Sequence, residues 1–329
     1  MERLFRDLRQ MSQCRRRNRR ALPCVTTGDV KHRNLAMLAA LALIWGASFM
    51  FIKVADRELA PSTLILGRLG LAALTLALVV PFTVGTREAL SQIRAHAHWL
   101  VIVALINTAI PFWLLSWGET RIDSGLASII QASVPIFNAV IAFGFFHEFR
   151  VTGIKLVGVG IGFIGVALLV GAQPEGKVLG ALAVVGMALC YALGGLLVGR
   201  HLKPVTPVVV ALATTAVSAV AVLPIGVSQA PSHAPGWETT LSVLALGVPG
   251  TAIAYLLFFG LIAGAGAAYA SLVTYLIPPI ALIYGAVFLG ESITSIAVGG
   301  LLLVFLGVAL GTGSFRPSRL RRRSLASEA

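Results

Sequence analysis

The chain has 329 residues, 57% of them hydrophobic and only 12% charged, with a formal net charge of +13. A water-soluble domain carries roughly 25% charged residues, so this composition excludes an ordinary soluble globule. The positive charge excludes a nucleic-acid binder as well, because it is concentrated in two tails that flank an apolar centre and does not form a basic face.

Residues 1–34 carry Arg3, Arg6, Arg9, Arg15, Arg16, Arg17, Arg19, Arg20, Lys31 and Arg33. This is a basic cytoplasmic tail without fixed structure, held against anionic lipid. It is not a cleaved signal, since the basic stretch is too long and no small-residue cleavage site follows it. Met37, at the mouth of the first apolar run, is an alternative start. The cysteines are Cys14, Cys24 and Cys190; none has CxxC or Cys/His metal spacing, so no disulfide framework, metal or cofactor is expected.

A membrane-crossing helix needs about 20 mostly apolar residues. Ten such runs follow in order: 35–55, 62–82, 98–117, 124–146, 152–171, 178–199, 206–227, 240–261, 267–289 and 295–313. All are expected to be helices, because lipid leaves a strand's backbone unsatisfied and no alternating barrel pattern occurs. The second run holds Arg68, the one ionisable residue near the middle of a span. The third holds Asn107, Pro111 and Trp113, and the fourth Gln131, Pro135 and Asn138, with Glu148 just beyond. The fifth contains Gly158, Gly160 and Gly162, a spacing that lets helix backbones approach closely. The eighth holds Pro249 and Tyr255; the ninth holds Thr274, Tyr275, Pro278 and Pro279, with Glu291 just beyond. The tail 314–329 is again basic.

With the N-terminus inside, 21 of the 26 Lys/Arg fall on the cytoplasmic side. Four (Lys53, Arg57, Arg121 and Lys177) fall outside, and Arg68 lies in a span. That bias places both termini in the cytoplasm of a plasma (inner) membrane protein.

The chain also matches itself at an offset of 143 residues. Thr108, Ala109 and Ile110 fall on Thr251, Ala252 and Ile253; Pro135 falls on Pro278, and Glu148 on Glu291. At an offset of 142, Gly165 to Leu168 fall on Gly307 to Leu310. A repeat of five spans is odd, so the second copy enters the membrane inverted. Two inverted halves are the signature of alternating-access carriers.

On these residues the sequence resembles an EamA-type member of the drug/metabolite transporter superfamily. The resemblance rests on Leu43 to Phe49 with Lys53, on Leu66 to Gly70 around Arg68, on Ala127, Ser128, Pro135 and Glu148, and on Ala270, Ser271, Pro278 and Glu291. The run Ala188 to Ala192 fits the start of the second copy. The resemblance implies a ten-helix fold of two five-helix repeats, 35–171 and 178–313. It also implies movement of small metabolites, often outward, with no cofactor and no ATP hydrolysis.

The expected function is therefore a secondary transporter of a small polar metabolite, amino-acid-like compound or drug. A channel, a non-transporting membrane protein and a membrane-embedded enzyme are the alternatives. The enzyme would need clustered His, Asp or Glu, and the sequence shows none. The partners expected are the lipid bilayer and a small solute.

Arg68 reads either as a cation for an anionic group of the solute or as a structural charge bonded to carbonyls or to Asn107 or Gln131. A polar cavity wall is expected from Arg68, Asn107, Trp113, Gln131, Asn138, Tyr255, Thr274 and Tyr275, since buried amides need partners. Trp45 and Tyr191 either frame it or merely pack. Pro135, Pro278 and Pro279 are expected to break their helices at matched depths and to mark the transport site. Glu148 and Glu291 are interface carboxylates, either anchors or a gate. With no carboxylate inside any span as bounded above, a buried proton relay is not expected.

Overall fold

The computed structural model describes residues 27–145 and 154–311, and the secondary structure among them is entirely helical. The helices in chain order are α1 (Thr27–Ala55), α2 (Pro61–Thr83), α3 (Thr86–Ala95), α4 (Ala97–Ala104), α5 (Ile110–Glu119), α6 (Ser124–Gln131), α7 (Val134–Phe145) and α8 (Ile154–Gly171). They continue as α9 (Glu175–His201), α10 (Pro207–Ser228), α11 (Trp237–Gly247), α12 (Ala254–Ala265), α13 (Ala267–Ala270), α14 (Val273–Leu289) and α15 (Ser295–Gly311). One π-turn, Leu105–Ala109, joins α4 to α5, and a second, Val248–Ile253, joins α11 to α12.

Seven helical stretches are long and apolar enough to cross a membrane: His32–Ala55, Pro61–Thr83, Ala97–Glu119, Ser124–Ile141, Lys177–His201, Pro207–Ser228 and Trp237–Ala265. Three shorter apolar helices accompany them, Leu156–Gly171, Val273–Leu289 and Ser295–Gly311. The chain is a multi-pass membrane protein. Its outer shell agrees, for Leu74, Leu78, Phe82, Val287 and Phe288 are all exposed. Apolar side chains in such numbers on the outside suit hydrocarbon. Residues 1–26, the tail 314–329 and Glu148 lie outside the described residues, whereas 27–34, expected to be without fixed structure, are the first turns of α1.

Local signals set the helix ends. Pro61 and Pro207 open α2 and α10 behind extended residues, where a missing N–H costs nothing. Gly290 ends α14 in the left-handed region at φ 70°, and the turn brings the Glu291 N–H onto the Gly285 carbonyl at 3.0 Å. The polar helix α3 was not expected from the sequence, where 83–97 reads as a connection. It is amphipathic, and its Gln92 accepts the Thr206 N–H at 2.8 Å, at the start of α10.

The two π-turns begin 143 residues apart, the offset of the sequence repeat. Helix contacts come in corresponding sets. Helix α1 packs on α14 and on α11 and α12, while α9 packs on α6 and α7 and on α5. Helix α2 packs on α10, and α8 on α15. The α8–α15 contact is backbone to backbone. A Cβ added to Gly307 would stand 2.5 Å from the Gly162 Cα, which is why the Gly158–Gly162 spacing is there.

Candidate functional site

A cavity of about 510 Å³ lies where these helices meet. Its wall includes Trp45 and Ser48 of α1, Arg68 of α2, Asn107 of the first π-turn, and Gln131, Pro135 and Asn138 around the α6–α7 junction. Tyr191 of α9, Thr251 of the second π-turn, Tyr255 of α12, and Ser271 and Thr274 complete its polar part.

The π-turns place two of these groups. A π-turn inserts one residue into an α-helix and leaves a carbonyl without its usual partner. In the second turn the Thr251 hydroxyl donates to the Leu246 carbonyl at 2.8 Å. The same hydroxyl oxygen accepts from Arg68 Nε at 3.0 Å. Arg68, Thr251 and Leu246 thus form one chain of hydrogen bonds across the two halves of the sequence, each bond polarising the next.

Arg68 is buried, with its guanidinium carbon 4.2 Å above the Phe112 ring. Nε and the ring fix the plane of the guanidinium. The terminal nitrogens make no hydrogen bond among the described residues, and Arg68 lines the cavity. Tyr191 and Tyr255 stand near enough to act on it electrostatically. Asn107, Gln131 and Asn138 also line the cavity without a hydrogen bond among the described residues. Such a wall can take a carboxylate on the arginine fork and polar groups on the amides.

Of the residues singled out in the sequence, Arg68, Asn107, Gln131, Asn138, Tyr255, Thr274 and Pro135 come together here, with Trp45 and Tyr191. Trp113 does not. It is partly exposed on the outside of α5, and its Nε1 donates to Ser62 Oγ at 3.1 Å. Tyr275 packs edge-on against Phe305, with ring centroids 5.5 Å apart. The fourth span is interrupted at Ala132–Ser133, just ahead of Pro135, where the ring removes an amide from the ladder. In the ninth span Pro278 and Pro279 lie inside the continuous α14, and the interruption falls earlier, at Ser271–Leu272. Ser48, Phe112, Thr251 and Ser271 were missed. For Thr251 the only sequence signal was its match to Thr108 in the repeat.

A second group of side chains gathers at the other ends of α1 and α5, the side read as external from the sequence. Glu291 closes the first turn of α6: its Oε1 accepts the Ser124 N–H at 2.8 Å, and its Oε2 accepts the Ser124 hydroxyl at 2.8 Å and the Gly125 N–H at 3.1 Å. Glu58 does the same for α11, accepting the Gly236 N–H at 2.7 Å. That bond holds its carboxyl below the usual range. Each carboxylate meets a helix N-terminus of the other half, where charge and amides suit an anion.

Helix α5 runs to Glu119, past the 98–117 bound read from the sequence, so a carboxylate does lie within a span. Glu119 is fully buried, and neither of its carboxylate oxygens has a hydrogen-bond partner among the described residues. Asp56 sits in the turn after α1, with one oxygen accepting the Ser116 hydroxyl at 2.8 Å and the other unpartnered. Burial pushes the Asp56 carboxyl up to about 7, against the pull of Ser116 and Lys53. Lys53 spends its ammonium on the carbonyls of Glu119 and Ile122, the latter at 2.7 Å.

The model of the EamA-like transporter family matches residues 33–171 and 178–312. An uncharacterized transporter of Bacillus subtilis, YvbV, is 26% identical over 286 residues, covering 85% of this chain and 92% of its own. A probable terminal-alkyne amino-acid exporter of Streptantibioticus cattleyicolor is 28% identical over 283 residues, covering 83% and 91%. One solved crystal structure superposes with a TM-score of 0.63 at 16% identity, covering 86% of this chain and 99% of the other, a likeness of fold.

Proposed function

Because this chain belongs to the EamA-like transporter family, we propose that it is a secondary transporter of the plasma membrane that exports a small polar, amino-acid-like solute by alternating access. In this reading the seven long helices and the three shorter ones make ten crossings, with both termini in the cytoplasm. They form two inverted five-helix repeats. The matched π-turns and the paired helix contacts support the repeat, and an odd number of crossings per copy supports the inversion.

The observation that carries the reading is Arg68: an oriented guanidinium in the wall of a largely apolar cavity built from both halves, its terminal nitrogens without a hydrogen bond among the described residues. A mid-membrane charge is costly to insert, and a fork left open toward a cavity suits a solute carboxylate. The relative named for an amino-acid exporter favours the same solute class.

The test is flux of radiolabelled amino acids into liposomes containing the purified full chain. The reading expects saturable uptake that is stimulated by unlabelled solute inside. Arg68→Lys is expected to lower that flux roughly tenfold, the equivalent of one lost charge-assisted bond. Flux that rises linearly without saturation or counterflow would instead establish a channel. No flux of any amino acid, with normal folding, would remove the amino-acid class.

A further inference from the structure

We propose that Glu119, with Asp56 beside it, is a proton-binding site of this protein, lying between the cavity and the Glu291 contact. The site stands on its own geometry; only its use, exchange of a proton against the solute, rests on the transporter reading.

Glu119 is wholly removed from solvent, and both its oxygens lack a hydrogen-bond partner among the described residues. A carboxylate anion in that position has lost its water and gained nothing in return, and such a group neutralises instead. The acidic groups that face it favour the same outcome and the basic ones oppose it. Asp56, from the turn after α1, and Glu291, from the connection after α14, are acidic. Lys53 of α1 and Arg68 of α2 are basic.

Neither base satisfies the acid. Lys53 Nζ is taken by two backbone carbonyls, and Arg68 Nε by Thr251. Glu291 has its charge met by the first turn of α6. Asp56 has the Ser116 hydroxyl on one oxygen. That leaves Glu119 as the one of these three acids with no hydrogen bond to its carboxylate among the described residues. A metal ion suits the place badly. Among the described residues no three His, Cys, Asp or Glu side chains stand close enough to share one, and the Lys53 ammonium already lies alongside. The step is one of binding alone: a carboxylate oxygen takes up one proton and no other bond changes. Two acids this closely placed titrate as a pair, so the charge on Asp56 sets how firmly Glu119 keeps its proton.

The experiment is infrared difference spectroscopy of the purified full chain in lipid nanodiscs, titrated with acid and alkali in the absence of any solute. The wild type is expected to show a protonated-carboxyl C=O band at neutral pH that disappears in alkali. Glu119→Gln is expected to lack the band. Asp56→Asn is expected to keep it and to lose it at a different pH, shifted by about one unit or more, since a like charge near enough to act on a buried carboxyl moves it by that much. No band in the wild type at neutral pH, or the same band in Glu119→Gln, overturns the proposal. If Glu119→Gln does not fold, an unaltered titration in Asp56→Asn overturns it. Solute flux with no such band leaves the transporter reading standing and this site refuted; the band without flux has the opposite meaning.

Discussion

Glu291 holds Ser124 by both its amide and its hydroxyl, each at 2.8 Å, across 167 positions of sequence. The glutamate follows the glycine that ends α14, and the serine opens α6 with no cap of its own from Asp123. One carboxylate therefore supplies the missing cap of a helix in the other half of the chain.

Replacing Glu291 by Gln leaves one acceptor oxygen where two are used and removes the charge from the helix N-terminus. The cost is about 1–2 kcal/mol, the range for a lost N-cap with its charge. Thermal unfolding in nanodiscs is expected to show a lower midpoint. Cysteines placed at Ser124 and Ser292 are expected to label faster from outside in this background. Unchanged labelling would show that the contact does not hold that end shut.

The Arg68–Thr251–Leu246 chain makes a second prediction. Thr251→Val keeps the shape but leaves Arg68 Nε and the Leu246 carbonyl unpartnered. A buried group so orphaned costs about 1–3 kcal/mol. Arg68→Lys and Thr251→Val are expected to be strongly non-additive in stability, since each removes the same bond. A double-mutant cycle by denaturant unfolding reads the coupling, and additive effects would show that the bond carries nothing.

Asp56 makes stability depend on pH. Its carboxyl is held at about 7 in the fold against an ordinary 3.8. A raised pKa means that the folded state keeps a proton which the unfolded chain gives up. The contribution is therefore complete below the unfolded value and is lost as pH rises through about 7. The unfolding midpoint is expected to fall between pH 5 and pH 8, and Asp56→Asn is expected to flatten that part of the curve. A wild-type curve already flat there would contradict the raised value.

The glycines of α8 and α15 differ sharply in what they tolerate. A Cβ on Gly160 would meet nothing within 4 Å, whereas one on Gly307 would strike the Gly162 backbone. Gly160→Ala is expected to be neutral or to stabilise by up to about 1 kcal/mol through helix propensity. Gly307→Ala is expected to cost about 1–3 kcal/mol through overpacking. Thermal unfolding of the two variants side by side checks the contrast, and equal effects would mean that the two backbones are not in contact.

Much of this was legible in the residues. Apolar runs give the helices because lipid leaves the backbone no other solution, and the polar groups Arg68, Asn107, Gln131 and Asn138 stand out within them. The faces were harder to read. The π-turn at Leu105–Ala109 adds a residue to its helix and rotates everything after it by about 100°, so Trp113 bonds Ser62 on the outside while Asn107 faces the cavity. Tyr275 follows the interruption at Ser271–Leu272, which resets its face in the same way. Glu119 was hidden by its position at a helix end, where a carboxylate ordinarily reaches water. Its burial comes from tertiary packing, as where Gly118 beside it meets Gly180 and Val184 of α9, which no local pattern announces.

The α8–α15 seam has a mechanical meaning. Helices that touch through glycine backbones, with few side chains such as Leu169 between them, are closely packed, and close-packed surfaces do not slide by small amounts. These two helices, one from each half, must travel as one piece. If the cavity is to change the side on which it opens, the remaining helices have to pivot about this pair. In the proposed alternating-access reading the pair is the fulcrum, and it carries none of the residues that line the cavity.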